Sequence, residues 1–130
     1  MLGDNDAIAT IAVKDLRAAR TFYGDTLGLR EQAGSDNPEV IMYRSGTSKI
    51  QVYRSHYAGT NAATVVTWAV GGDLESIVQA LAAKGVAFEH YDLPQLERQG
   101  DIHVAGDGLR VVWFKDPDGN ILSMLSTTRE

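Results

Sequence analysis

The chain predicts an α+β fold built from two β-α-β-β-β halves, and three observations carry that expectation. Residues 109–125 read as a β-hairpin. Two runs rich in Val, Ile, Leu, Trp and Phe flank Asp116-Pro117-Asp118-Gly119-Asn120, where Pro pre-sets φ, Asp bonds its own backbone and Gly accepts φ > 0. An Asp-Leu pair opens a helical stripe in each half, Asp15-Leu16 and Asp73-Leu74, 58 residues apart. Gly28-Leu29 and Gly85-Val86, 57 residues apart, close those stripes as C′ glycines do. One such half leaves a sheet face bare, so the halves must pair, within the chain or with another chain.

Taken in order, residues 7–13 read as a first strand. Asp15 stands at an N-cap position, and Leu16, Ala19, Phe22, Tyr23 and Leu27 recur at helical spacing up to Gly28. The pattern then shortens to three strands, 29–33, 40–44 and 49–54, separated by the turn formers of 34–38 and 45–48. A polar connection over 54–61 follows. The second half repeats the order: a strand over 63–70, Asp73 as cap, a stripe of Leu74, Ile77, Val78 and Leu81, Lys84 in the last turn, a strand over 86–91, and the hairpin. Residues 92–100 read as a loop, of a kind often used as a lid, and 102–105 is a candidate short strand. The expectation is one domain over 1–130, with a first module at about 6–55 and a second at about 62–127. Neither hairpin strand alternates apolar with polar, so both faces should be covered.

Composition narrows the function classes. A length of 130 residues, 44% hydrophobic and 22% charged, suits one domain with a real core. The absence of cysteine excludes disulfides, a thiolate nucleophile and zinc held by sulfur. Residues 1–6 lack the basic start and apolar run of a signal peptide, and no apolar stretch reaches bilayer length. The expected location is the cytoplasm. The net charge of −5 and the scattered basic residues argue against nucleic acid and anionic membranes as partners.

Val13-Lys14-Asp15-Leu16 leading to Phe22-Tyr23 and Leu27-Gly28-Leu29, with Phe114-Lys115-Asp116-Pro117-Asp118-Gly119-Asn120 near the end, resembles the vicinal oxygen chelate superfamily of glyoxalase I, bleomycin-resistance proteins and extradiol dioxygenases. The resemblance covers nearly the whole chain. It implies two βαβββ modules whose sheets curl into a cup, helices outside and ligand within. Enzymes of the superfamily mount a divalent metal through His and Glu on the first and fourth strands of each module. Those positions fall on Ile8, Gln51, Val65 and Ser123. None is an imidazole or a carboxylate, and hard octahedral cations need such donors, so no metal cofactor is expected there. A shared metal site using His56, His90 and His103 is the other possibility, but their spacing matches no metal motif.

Strand alternation then places Thr10, Lys49, Tyr53, Thr67, Ile121 and Leu125 inward with those four, and Ile11, Val13, Ile50, Val52, Trp68, Val70, Leu122 and Met124 against the helices. Trp113, Tyr53, Tyr91, Gln51, Ile8, Val65, Ser123 and Leu125 become the candidate ligand-binding residues, a mostly apolar set with a few polar groups. Trp113 serves equally as a pocket wall or a core aromatic, and Tyr53 and Tyr91 as walls or rim. Glu89 is a candidate general acid or base if desolvated, and otherwise a solvated strand-end carboxylate. His56 and Tyr91 are further proton-transfer candidates.

Three functions follow from these residues. The first is metal-free binding of a small apolar or aromatic molecule. The second is a lyase, isomerase or dioxygenase using a non-standard metal site or acid-base catalysis by Glu89, His56 or Tyr91. The third is a scaffold with an empty cup. A homodimer is expected, because edge strands need covering.

Overall fold

The structure is a computed structural model that describes residues 1–33 and 37–126. It divides into two compact units, Met1–Ala62 with Pro117–Asn120, and Ala63–Asp116 with the segment from Ile121.

In the first unit, β1 (Ala9–Val13) leads into α1 (Leu16–Ala19). Asp15 is the N-cap: its backbone is extended and its Oδ1 accepts from the Arg17 N–H at 2.9 Å and the Ala18 N–H at 3.4 Å. The helix expected through Leu27 changes type on the way. Arg20–Thr26 is π-helical, and the Leu27 N–H reaches back five residues to the Phe22 carbonyl at 2.9 Å. Gly24 lies in that widened turn, where an added Cβ would stand 4.0 Å from the Tyr43 ring. Strands β2 (Arg30–Glu31), β3 (Val40–Ser45) and β4 (Ser48–Arg54) complete a sheet of order β1-β4-β3-β2, with β1 and β4 parallel. Ile11, Val13, Ile41, Tyr43, Ile50 and Val52 alternate onto one buried face, and α1 packs on β4. Part of the expected 34–38 turn lies outside the described residues.

The hairpin turn Pro117–Asn120 belongs to this unit. Asp118 Oδ2 accepts from the Lys14 N–H at 3.0 Å, and Asn120 Nδ2 donates to the Ala12 carbonyl at 2.7 Å. Gly59, at φ 76°, approaches so closely that a Cβ would lie 2.1 Å from the Asp118 carbonyl oxygen. Residues that read as turn chemistry thus also anchor the turn to β1.

In the second unit, β5 (Thr64–Ala69) precedes a 3-10 turn over Gly71–Asp73 and α2 (Leu74–Ala83). Asp73 does not cap α2 with its side chain. The preceding 3-10 turn holds its backbone at φ −91°, ψ 4° rather than extended, and Ser76 Oγ donates to the Asp73 carbonyl instead. Strand β6 (Phe88–Glu89) is shorter than expected, and β9 (Arg110–Lys115) and β10 (Ile121–Ser126) form the hairpin. Where a loop was expected, Leu96–Gln99 is strand β7, antiparallel to β8 (Ile102–Ala105) across Gly100 and Asp101. An edge strand carrying Glu97, Arg98 and Gln99 lacks the apolar periodicity that marks a covered strand. The sheet runs β5-β10-β9-β8-β7, with β6 also paired to β9. Leu74, Val78 and Leu81 of α2 are buried, as are Val112, Phe114, Leu122 and Met124 of the hairpin, and the Phe88 and Phe114 rings meet edge to face at 5.8 Å. No described helix is long and apolar enough to cross a membrane.

Candidate functional site

Strand register fixes which side chains share the sheet face of the second unit opposite Phe114, Leu122 and Met124. Trp113 lies opposite Ser123 and Glu89, Ser123 opposite Thr67, and Val111 opposite Leu125 and His103. Cross-strand partners point to the same side. Leu125, Ser123, Trp113, Glu89 and His103 are therefore one surface.

Three rings make a corner on it. Trp113 meets His103 at 4.9 Å and 78°, and Tyr91 meets Trp113 at 5.2 Å and 70°, while Tyr91 and His103 are 6.3 Å apart at 33°. Edge-to-face pairs contribute about 0.5–1.5 kcal/mol each beyond burial, so the corner is held by its own contacts. Trp113 and Tyr91 are half-buried, whereas His103 is 1% exposed. His103 Nε2 accepts from the Tyr91 N–H at 3.0 Å, which puts the ring proton on Nδ1, buried without a hydrogen-bond partner. Burial pushes the His103 pKa below its usual value, and the charges of His90 and Arg98 add to the fall.

Glu89, opposite Trp113, has its Oε1 3.5 Å from Lys115 Nζ, a charge partner that strand patterning alone did not bring forward. Ser123 is 3% exposed and its Oγ lies 2.6 Å from Thr67 Oγ1. Val65 falls at a register shift, since Ile121 pairs with Thr64 and Leu122 with Val66.

In the first unit, Gln51 lies opposite Thr10 and Met42, and Tyr53 opposite Ala12 and Val40, on the face away from Val52. Gln51 helps line an open cavity of about 450 Å³ with Val40, Met42, Lys49 and Gln32. Tyr53 is 37% exposed, and Ile8, just ahead of β1, 45%. His56 is exposed, its ring 4.2 Å from that of Tyr57.

The donors do not fit a divalent metal. In the first unit Ile8 has no donor atom and Gln51 offers only a neutral amide. In the second Val65 has none, and the Ser123 hydroxyl is paired with Thr67. His90 Nε2 lies 2.7 Å from Asp101 Oδ1, but among the described residues no three of His, Asp and Glu gather where they could hold a metal ion. His103, absent from the sequence candidates for ligand contact, is the residue the structure adds. No local pattern marks it, because its ring neighbours Tyr91 and Trp113 come from other parts of the sheet.

The sequence profile of the Glyoxalase/Bleomycin resistance protein/Dioxygenase superfamily matches residues 6–124. No curated protein matches in sequence. Among solved structures, a lactoylglutathione lyase from Agrobacterium tumefaciens is similar at TM-score 0.71 and 15% identity, covering 94% of this chain and 92% of that one. An antibiotic binding protein from a Streptomyces species matches at TM-score 0.66 and 17% identity, covering 95% and 96%. A genomically encoded fosfomycin resistance protein from Listeria monocytogenes matches at TM-score 0.65 and 16% identity, covering 97% and 92%. At such identities these likenesses show the fold alone.

Proposed function

The chain belongs to the Glyoxalase/Bleomycin resistance protein/Dioxygenase superfamily, and on that premise we propose that it is a small-molecule-binding protein that grips an apolar or aromatic ligand by stacking and shape, without a metal. The observation that carries this reading is the ring corner of Tyr91, His103 and Trp113, which leaves Trp113 and Tyr91 half-buried rather than closed into the core. Two rings at 70° offer a ligand ring one face and one edge. Leu125 and Val65 extend that surface with apolar area around the buried Ser123–Thr67 hydroxyl pair, and Gln51, Tyr53 and Ile8 hold the equivalent strand positions on the first unit's own sheet. That one structural neighbour is an antibiotic binding protein supports binding as a use of this fold.

A library of aromatic and aldehyde-bearing compounds tests the reading by thermal shift. At least one compound should raise the melting temperature of the wild type, and Trp113→Ala should lose that rise. A library-wide absence of any shift would favour the empty scaffold.

Glu89 opposite Trp113 favours one second reading, a metal-independent lyase or isomerase in which Glu89 moves a proton, with Tyr91 as its partner in transfer. Glu89→Gln should then abolish turnover of a bound compound; equal turnover removes Glu89 from any mechanism. The binding reading extends to a homodimer in the cytoplasm; β2 ends the first unit's sheet, and an edge strand invites pairing with another chain. Light scattering of the eluted protein should give twice the 14.1 kDa chain mass, and a monomer mass at micromolar concentration would refute that.

A further inference from the structure

At the end of the first unit's sheet lies a cavity of about 390 Å³ lined by Lys14, Glu39, Arg54, Ser55 and His56. In a chain of net charge −5, this concentration of donors has no role in the fold described above. Four of the five lining residues are held through their backbones. The Lys14 N–H donates to Asp118 Oδ2 at 3.0 Å, the Arg54 N–H to the Glu39 carbonyl at 3.0 Å, and the Ser55 N–H to the Val13 carbonyl at 2.8 Å.

The side chains present unused donors. Arg54 engages Glu39 through Nε at 2.5 Å, which leaves the Nη1–Nη2 edge of the guanidinium for an external acceptor. Ser55 Oγ already accepts from the Tyr57 N–H at 3.2 Å, so its proton is free to donate. The Lys14 ammonium makes no ion pair among the described residues. Two carboxylates face the region, and both are engaged: Glu39 holds Arg54, and Asp118 holds the Lys14 amide. A guanidinium fork, an ammonium, a hydroxyl and an imidazole converging on one cavity match a tetrahedral oxyanion.

We propose that this cavity, lined by residues of the first unit alone, is a binding site for a phosphate group. Next to it the exposed Tyr57 ring lies 4.2 Å from His56, which offers a platform for an organic substituent on that phosphate.

Inorganic phosphate and phenyl phosphate are the probes, with the Ser55 and His56 amide resonances as the readout and sodium chloride of equal ionic strength as the control. Both resonances should shift saturably with phosphate and not with chloride. Lys14→Gln and Arg54→Gln should each weaken binding about tenfold, and Glu39→Gln should tighten it by removing a carboxylate and freeing Arg54. Tighter binding of phenyl phosphate assigns the site to an organic phosphate, and equal binding assigns it to the free ion. If Arg54→Gln fails to fold, Lys14→Gln still decides, because its side chain supports no described contact. No saturable shift, a shift reproduced by chloride, or undiminished affinity in Lys14→Gln would overturn the assignment.

Discussion

The Tyr91 N–H donates to Nε2 of His103, and the ring beneath it has no solvent through which to dissipate a charge. The folded protein therefore refuses a proton that the unfolded chain accepts near pH 6.5, since burial lowers the His103 pKa. Where the unfolded state binds more protons, stability rises with pH. The melting temperature should accordingly be level above about pH 7 and fall as the pH drops below about 6.5. His103→Phe should flatten that fall while costing about 1–3 kcal/mol at pH 8, through the orphaned Tyr91 N–H. A slope identical in both proteins would show that another group is responsible. Gly59 makes a second prediction at this scale. Its positive φ and the Asp118 carbonyl 2.1 Å from a would-be Cβ should make Gly59→Ala cost about 2–4 kcal/mol. Gly46→Ala, at φ 58° with open space around it, should cost only about 1 kcal/mol. Alternation made the facing of Gln51, Tyr53, Thr67, Ser123 and Leu125 legible in the sequence, because period 2 needs only a register. His103 and Lys115 were not legible as site groups, because their neighbours come from pairings that no local pattern encodes.

Both helices were visible from their stripes and closing glycines, but the π-helical turn was not. Ala19, Tyr23 and Leu27 stand four apart, a spacing that both helix types present as one stripe. The widened turn brings Gly24 to the Tyr43 ring with room for a methyl group, 4.0 Å away and without a positive φ. Gly24→Ala should therefore stabilise the protein by about 0.5–1 kcal/mol, read as a higher denaturation midpoint with an unchanged slope. A destabilised Gly24→Ala would mean that the turn requires glycine. The Tyr43 hydroxyl is buried there without a partner, and its pKa is pushed up to about 12, first by burial and then by Glu31. Strand β7 escaped a reading from the sequence because its length is polar. That polarity also disfavours one dimer. A two-fold antiparallel pairing of β7 with its own copy must set a residue opposite itself, and the two registers centred on the strand oppose Glu97 to Glu97 or Arg98 to Arg98, like charges whose direct opposition is destabilising. The homodimer proposed above should thus leave the outer amides of 96–99 unprotected in hydrogen exchange.

At the scale of the whole chain, the repeat read from Asp15-Leu16 and Asp73-Leu74 appears as two units, each with its own helix and sheet; the first boundary falls between Ala62 and Ala63, just past the polar connection, and the turn Pro117–Asn120 returns to the first unit. The fold was the most legible property because the Asp-Leu pair, the closing glycine and the apolar stripe recur in both halves, even though Asp73 does not cap its helix as Asp15 does. Ligand identity was the least, since one fold holds unrelated cargo and its specificity resides in a few side chains. Trp113 and Trp68 are the only tryptophans, which makes one test direct. In Trp68→Phe, dialysed against a chelator, the Trp113 emission should change saturably with an aromatic ligand found by thermal shift, and Tyr91→Ala should weaken that response. A response that appears only after a divalent metal is restored, or none at any ligand concentration, would contradict a grip made by stacking and shape.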